Sequence, residues 1–120
     1  MAKLIFNQPF MKAEYKINQE TSIGRGKEND MTIPDYELFA ALPKESQREL
    51  YQKLTHVSRK HAKMVLTGAR FFVIDVGTNN TGSTYGTFVN REKLVPQQPC
   101  ALKDNDRIKF GSVECTFKEE

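Results

Sequence analysis

The chain has 120 residues, 38% of them apolar and 28% charged, with a net charge of +3. This is the length of one ordinary domain, with a core large enough to need no disulfide or metal staple. The charge excess is too small to argue for nucleic acid, and the longest apolar run, Leu38 to Leu42, falls far short of a bilayer span. The segment Met1 to Pro9 lacks the long apolar stretch of a secretion signal. Cys100 and Cys115 are therefore expected as free thiols in a reducing cytoplasm, and the Asn79-Asn80-Thr81 sequon as idle.

In chain order, short β-type segments with turn signals between them fill most of the sequence. Lys3 to Asn7 alternates Leu4 and Phe6 around Ile5, and Tyr15 and Ile17 continue the period of two. Thr21 to Arg25 and Met31 to Ile33 are the next strand segments. Residues 36 to 57 break the pattern. Pro43 suits a first helical turn, Glu45 and Glu49 load the N-terminal half, and Lys53 follows Glu49 at i,i+4. Leu50 and Leu54, with Gln47 and Tyr51 beside them, give one stripe, so a helix of about twelve residues is expected around 43–54. Strands resume at His61 to Thr67, Arg70 to Val76, Tyr85 to Asn90, Arg107 to Phe110 and Val113 to Lys118. Phe71 and Val73 on one face, and Phe72 and Ile74 on the other, are expected as core. Many short strands separated by turns predict a single all-β domain over 1–120, an antiparallel sandwich or barrel, with a helical insertion over 36–57.

Several chemistries fail on spacing. Gly26-Lys27 has Thr21 where a phosphate-binding Walker loop needs glycine, and Glu28 where it needs Ser or Thr. Ser58 and His61 form an S-x-x-H, but on a strand i and i+3 point to opposite faces, and no G-x-S-x-G surrounds Ser58 or Ser83. His56 and His61 have no ligand cluster around them, so no metal site is expected. Asp104 to Asp106 reads as a turn, without the glycine and distal glutamate of a calcium loop. What remains is three loop segments rich in hydrogen-bond donors. Arg25, Lys27, Ser58, Arg59, Lys60 and Thr84 lie on them. An arginine fork, hydroxyls and backbone N–H groups are what a phosphate monoester dianion requires.

The ordered set Gly24-Arg25, Ser58-Arg59-Lys60-His61 and Ser83-Thr84-Tyr85-Gly86-Thr87-Phe88-Val89-Asn90 resembles the forkhead-associated (FHA) domain, whose pattern is GR, then S-x-x-H, then a G-S-T-N-G-T-F-V-N type stretch. Leu102 to Gly111 matches the family's L-x-x-x-D-x-I-x-F-G close, and the resemblance covers about residues 3 to 118. It implies an eleven-stranded antiparallel β-sandwich whose loops at one end bind phosphothreonine peptides, without catalysis, metal or cofactor. The partner implied is a protein modified by a Ser/Thr kinase, with neither nucleic acid nor membrane involved, and the domain is expected to act as a monomer.

Carried over by position, the resemblance has Arg25 grip the phosphate, Ser58 donate its hydroxyl, Arg59 add a charge and an amide, and Thr84 supply a second hydroxyl. Lys27 stands where some members place another cation, and Gly24, His61 and Gly86 support the loops. Tyr85 is the main departure, since most members have asparagine there to bond the peptide backbone. A phenol cannot reproduce both contacts of an amide. Tyr85 and the insertion leave a second reading, a degenerate domain acting as a phosphate-independent interaction scaffold. A third, nucleic-acid binding through Arg25, Lys27, Arg59, Lys60 and Lys63, lacks a motif and a stacking platform.

Overall fold

The computed structural model describes residues 2–120. Eleven strands and two helices follow one another: β1 (Ala2–Phe6), β2 (Glu14–Ile17), β3 (Glu20–Gly24), β4 (Met31–Thr32), α1 (Tyr36–Ala41), α2 (Lys44–Leu54), β5 (Ala62–Thr67), β6 (Arg70–Asp75), β7 (Thr87–Val89), β8 (Glu92–Lys93), β9 (Cys100–Ala101), β10 (Arg107–Phe110) and β11 (Val113–Glu119). They form a six-stranded sheet in the order β2-β1-β11-β10-β7-β8 and a five-stranded sheet in the order β4-β3-β5-β6-β9. Every pairing is antiparallel except β3 with β4, where Ile23 lies opposite Met31 and Gly24 opposite Thr32 in a parallel register. The eleven-stranded antiparallel sandwich expected from the sequence is present, with this one parallel pair at the edge of a sheet. The chain leaves β3 through the Arg25 loop and returns alongside it in the same direction, instead of closing a hairpin.

The core lies between the sheets because the inward residues alternate with outward ones. Leu4 and Phe6 from β1, Ile108 and Phe110 from β10, and Val113, Cys115 and Phe117 from β11 face Ile23, Met64, Phe71 and Val73 of the other sheet, all buried. Phe71 and Phe117 meet edge to face across the gap, 5.7 Å between centroids. Phe72 and Ile74 point the opposite way and are only half-buried, so the core on β6 is one face and not two. Burial pushes the Cys115 thiol far above its ordinary range, and both cysteines are free thiols. Among the described residues no helix is long and apolar enough to cross a membrane.

The insertion holds two helices where the stripe predicts one. Asp35 caps α1, its carboxylate accepting from the amides of Glu37 and Leu38 at 3.1 Å each. Leu42 ends α1 in an extended conformation, and Pro43 precedes α2 as its N-cap instead of entering the first turn. Gln47 ties the two together by donating from Nε2 to the Leu42 carbonyl, 2.8 Å. Leu54 is buried and Leu50 half-buried, but Tyr51 stands out at 66% exposure, so the apolar stripe is narrower than its sequence suggests. The strand expected from His61 starts at Ala62, and that expected from Tyr85 starts at Thr87. Strands β8 and β9 are two residues each and carry no periodic signal.

Phe117 is fully buried between the sheets. Phe117→Ala should lower unfolding free energy by about 3–5 kcal/mol. Chemical denaturation checks this, and a change below about 1 kcal/mol would contradict the packing described.

Candidate functional site

The loops at one end of the sandwich are stitched to one another by backbone bonds. Past the end of β3, the amide of Arg25 donates to the Ser58 carbonyl and that of Gly26 to the Arg59 carbonyl, both at 3.0 Å. This approach is possible only because residue 24 lacks a side chain. A Cβ on Gly24 would lie 2.3 Å from the Arg59 carbonyl oxygen. Asn29 closes the same seam, its amide nitrogen donating at 2.7 Å to the carbonyls of both Gly26 and Arg59.

Arg25 is half-buried, and its Nε donates to the Val57 carbonyl at 3.0 Å. That bond fixes the guanidinium and leaves its terminal N–H groups without a partner among the described residues. The Arg25 carbonyl accepts from the hydroxyl of Tyr36 on α1, and the same ring carries the Lys27 ammonium 5.1 Å from its centroid. The insertion thus braces this loop from outside.

His61 joins the second loop to the third. It is fully buried, and its Nδ1 accepts from the Ser58 amide at 2.9 Å. That role requires the proton on Nε2, which donates to the Gly86 carbonyl at 3.0 Å. Its backbone amide donates to Ile23 of β3, and its carbonyl accepts from Val76 and Gly77. Phe110 covers the ring edge to face at 5.9 Å. Residues 58 to 61 are loop, so the strand argument against a Ser–His relay does not apply. The relay is absent for another reason: Nδ1 is taken by the amide of Ser58 and does not meet its hydroxyl. The Ser58 hydroxyl oxygen accepts instead from the Thr84 amide at 3.3 Å, which leaves its O–H pointing elsewhere.

The third loop hangs on Asp75, a buried carboxylate at the end of β6. It accepts from the Ser83 amide at 3.2 and 3.3 Å and from the Thr87 hydroxyl at 2.8 Å. These bonds hold residues 83–87 where Thr84 faces Ser58. Gly86 is buried with a positive φ of 89°, and its carbonyl also accepts from the Gly111 amide. Tyr85 is half exposed, and its ring stacks on His56, 4.1 Å between centroids at an interplanar angle of 30°.

The Arg25, Ser58 and Thr84 segments therefore come together through direct bonds, with Tyr85 next to Thr84 and with Lys27, Arg59 and Lys60 exposed on the same segments. The four ion pairs found lie on Lys3, Arg107 and Lys118, so none of the rim cations or Arg25 has a carboxylate partner among the described residues. No cluster of His, Cys, Asp and Glu there is placed to hold a metal ion. Sequence reasoning missed Asn29, Tyr36, His56 and Asp75. Asn29 lies in a turn-rich run and Asp75 ends an apolar strand, where neither stands out. His56, two residues before Ser58, had no ligand set to draw attention to it.

A two-sheet sandwich that gathers its glycine-arginine, serine-histidine and serine-threonine segments at one end defines a class of protein-interaction module. The family model for the FHA domain matches residues 21–111, and the chain belongs to that family. Members of the family are non-enzymatic binding modules. It is 39% identical over 61 residues to the glycogen accumulation regulator GarA of Mycolicibacterium smegmatis, covering 51% of this chain and 34% of GarA. It is 38% identical over 69 residues to nibrin of Mus musculus, covering 53% of this chain and 9% of nibrin. The chain thus spans about a third or less of the length of these relatives. Among solved structures, the N-terminal FHA domain of S. cerevisiae Rad53p in complex with a phosphothreonine peptide superposes with a TM-score of 0.72 at 13% identity, over 99% of this chain and 93% of that one. Mycobacterium tuberculosis EmbR in complex with a low-affinity phosphopeptide gives 0.65 at 25% identity, over 98% of this chain and 24% of EmbR.

Burial holds the His61 pKa below its ordinary 6.5, with the Gly86 carbonyl and then Asp75 opposing more weakly. The unfolded chain therefore binds the proton more readily than the folded one. The neutral ring's contribution to stability is complete above about pH 6.5 and is lost as pH falls towards the lower folded value. Denaturant midpoints should drop between about pH 7.5 and 5.5. His61→Gln should be less stable at the upper pH and show a flatter drop, and an equal drop in both proteins would contradict this assignment.

Proposed function

We propose that this domain is a phosphothreonine-peptide-binding adaptor that docks onto proteins modified by a Ser/Thr kinase. The observation that supports the proposal is that the Arg25, Ser58 and Thr84 segments are bonded to one another at one end of the sandwich, and that Arg25 and the neighbouring cations lack carboxylate partners among the described residues. A dianion with three acceptor oxygens supplies what those groups lack. Arg25, its Nε already tied to Val57, offers its terminal N–H groups as a fork. Ser58 offers its hydroxyl, Arg59 its charge and amide, Thr84 its hydroxyl, and Lys27 a second cation from its seat over Tyr36. Gly24, His61 and Gly86 hold these donors in place. Tyr85 borders the same cup and contacts the peptide beside the phosphate.

Charge-assisted hydrogen bonds contribute about 1.5–3 kcal/mol each. Three of them total about 4.5–9 kcal/mol before the cost of association, so a micromolar affinity, near −8 kcal/mol, also requires contacts to the peptide around the phosphate. The relatives whose bound peptides carry phosphate support the same chemistry by likeness. Nothing in the site calls for catalysis: the hydroxyls of Ser58 and Thr84 lack a base, and the only buried imidazole is occupied at both nitrogens. The reading takes 1–120 as one module, with the insertion as part of it, and free thiols at Cys100 and Cys115 suit a cytoplasmic setting.

Calorimetric titration with matched phosphorylated and plain threonine peptides tests the proposal. Arg25→Ala should weaken binding of the phosphorylated peptide about 10- to 100-fold, and Ser58→Ala by about tenfold. Equal binding of both peptides would overturn the reading and favour a phosphate-independent scaffold. Gly24→Ala should reduce phosphopeptide binding although residue 24 has no side chain to offer, because the new Cβ displaces the Arg59 carbonyl and, with it, the Ser58 segment. Unchanged affinity in that variant would show that the seam between the two loops does not set the cup.

A further inference from the structure

We infer that the Tyr85 ring, clamped on His56, is a platform that selects an apolar or aromatic side chain flanking the phosphothreonine. The inference rests on the phosphothreonine reading and adds a determinant of which sequences are chosen.

Tyr85 is 51% exposed although one face of its ring is covered by the His56 imidazole, so the accessible surface is the opposite face and the edge. The phenol oxygen has no hydrogen-bond partner among the described residues, so the hydroxyl does not set the ring's position. His56 does. Its Nδ1 is hydrogen-bonded to the Ser112 hydroxyl in the β10–β11 turn. Its carbonyl is packed against Gly111, where a Cβ would come within 2.2 Å. The imidazole is therefore fixed from two sides, and the ring stacked on it is fixed in turn. A rigid half-exposed aromatic face loses little conformational freedom on binding, which favours its use as a contact surface.

Position places this face beside the phosphate. Thr84, the preceding residue, gives its amide to the Ser58 hydroxyl oxygen. Val57, the residue after His56, holds the Arg25 guanidinium. An aromatic face attracts either cations or apolar groups. Here the Arg25 guanidinium is held by Val57, next in the chain to His56, and the Lys93 side chain packs against Gly86 next to the ring. That field opposes a cationic side chain on the peptide, so the apolar or aromatic choice remains. An asparagine at residue 85 would offer an amide to the peptide backbone. The stacked phenol trades that contact for side-chain packing.

The test is a phosphothreonine peptide library varied at each flanking position, screened against the wild-type chain, Tyr85→Ala, Tyr85→Phe and His56→Ala, with thermal melts to establish that each variant is folded. At one flanking position, apolar or aromatic residues should bind about three- to tenfold tighter than alanine in the wild type. That ratio should fall to about one in Tyr85→Ala, shrink in His56→Ala and persist in Tyr85→Phe. Phosphate-dependent binding without such a preference, or with one unchanged in Tyr85→Ala or lost in Tyr85→Phe, overturns the platform while the phosphothreonine reading stands. Absence of any phosphate-dependent binding overturns both.

Discussion

The end of the sandwich is organised around one neutral imidazole. His61 is fully buried, so both ring nitrogens need partners within the protein, and they find them on different loops. Accepting from Ser58 and donating to Gly86 fixes the tautomer and the spacing of the two segments in one step. The same residue's main chain reaches β3 on one side and the turn after β6 on the other. A charged ring would have two donors and nothing to accept the Ser58 amide, so the arrangement depends on the environment that keeps it neutral. Loop geometry at this end is thus a property of the core and not of the loops themselves.

Asp75 performs a parallel task for the third loop. Its carboxylate is withdrawn from water and answered by an amide and a hydroxyl from residues 83 and 87. Together the two buried polar groups explain why residues 83–87 pass close to Ser58 without forming a strand there. The insertion adds an outer brace. It leaves the sheet just after β4, touches the Arg25 loop through Tyr36, and re-enters through His56 and Val57. Four consecutive residues then serve the cup in turn: a ring for Tyr85, a carbonyl for Arg25, a hydroxyl facing Thr84 and a charge at the rim.

How much of this the sequence discloses follows from which signals are local. Alternation over five or more residues marks β1 and β11, because a period of two needs several repeats to be seen, while β6 shows as an unbroken apolar run from Phe71 to Ile74. Two-residue strands such as Glu92–Lys93 and Cys100–Ala101 exist only by pairing with a neighbour, and nothing in their own residues reveals it. The parallel return of β4 beside β3 is likewise a matter of tertiary path. Phe72 and Ile74 read as core because composition cannot tell which side of a sheet is covered. In the candidate site, Gly24, Arg25, Ser58, His61 and Thr84 were legible as an ordered pattern. Asn29, Tyr36, His56 and Asp75 were not, because each acts through a contact with a residue distant in the chain.

The unpaired cations of the cup bear on the energy of the folded chain itself. Arg25, Lys27, Arg59 and Lys60 lie on two segments joined by backbone bonds, and none of them forms an ion pair among the described residues. Under the proposed function, a dianion that binds there links occupancy to folding: the filled domain should resist unfolding more than the empty one, by an amount that grows with ligand concentration.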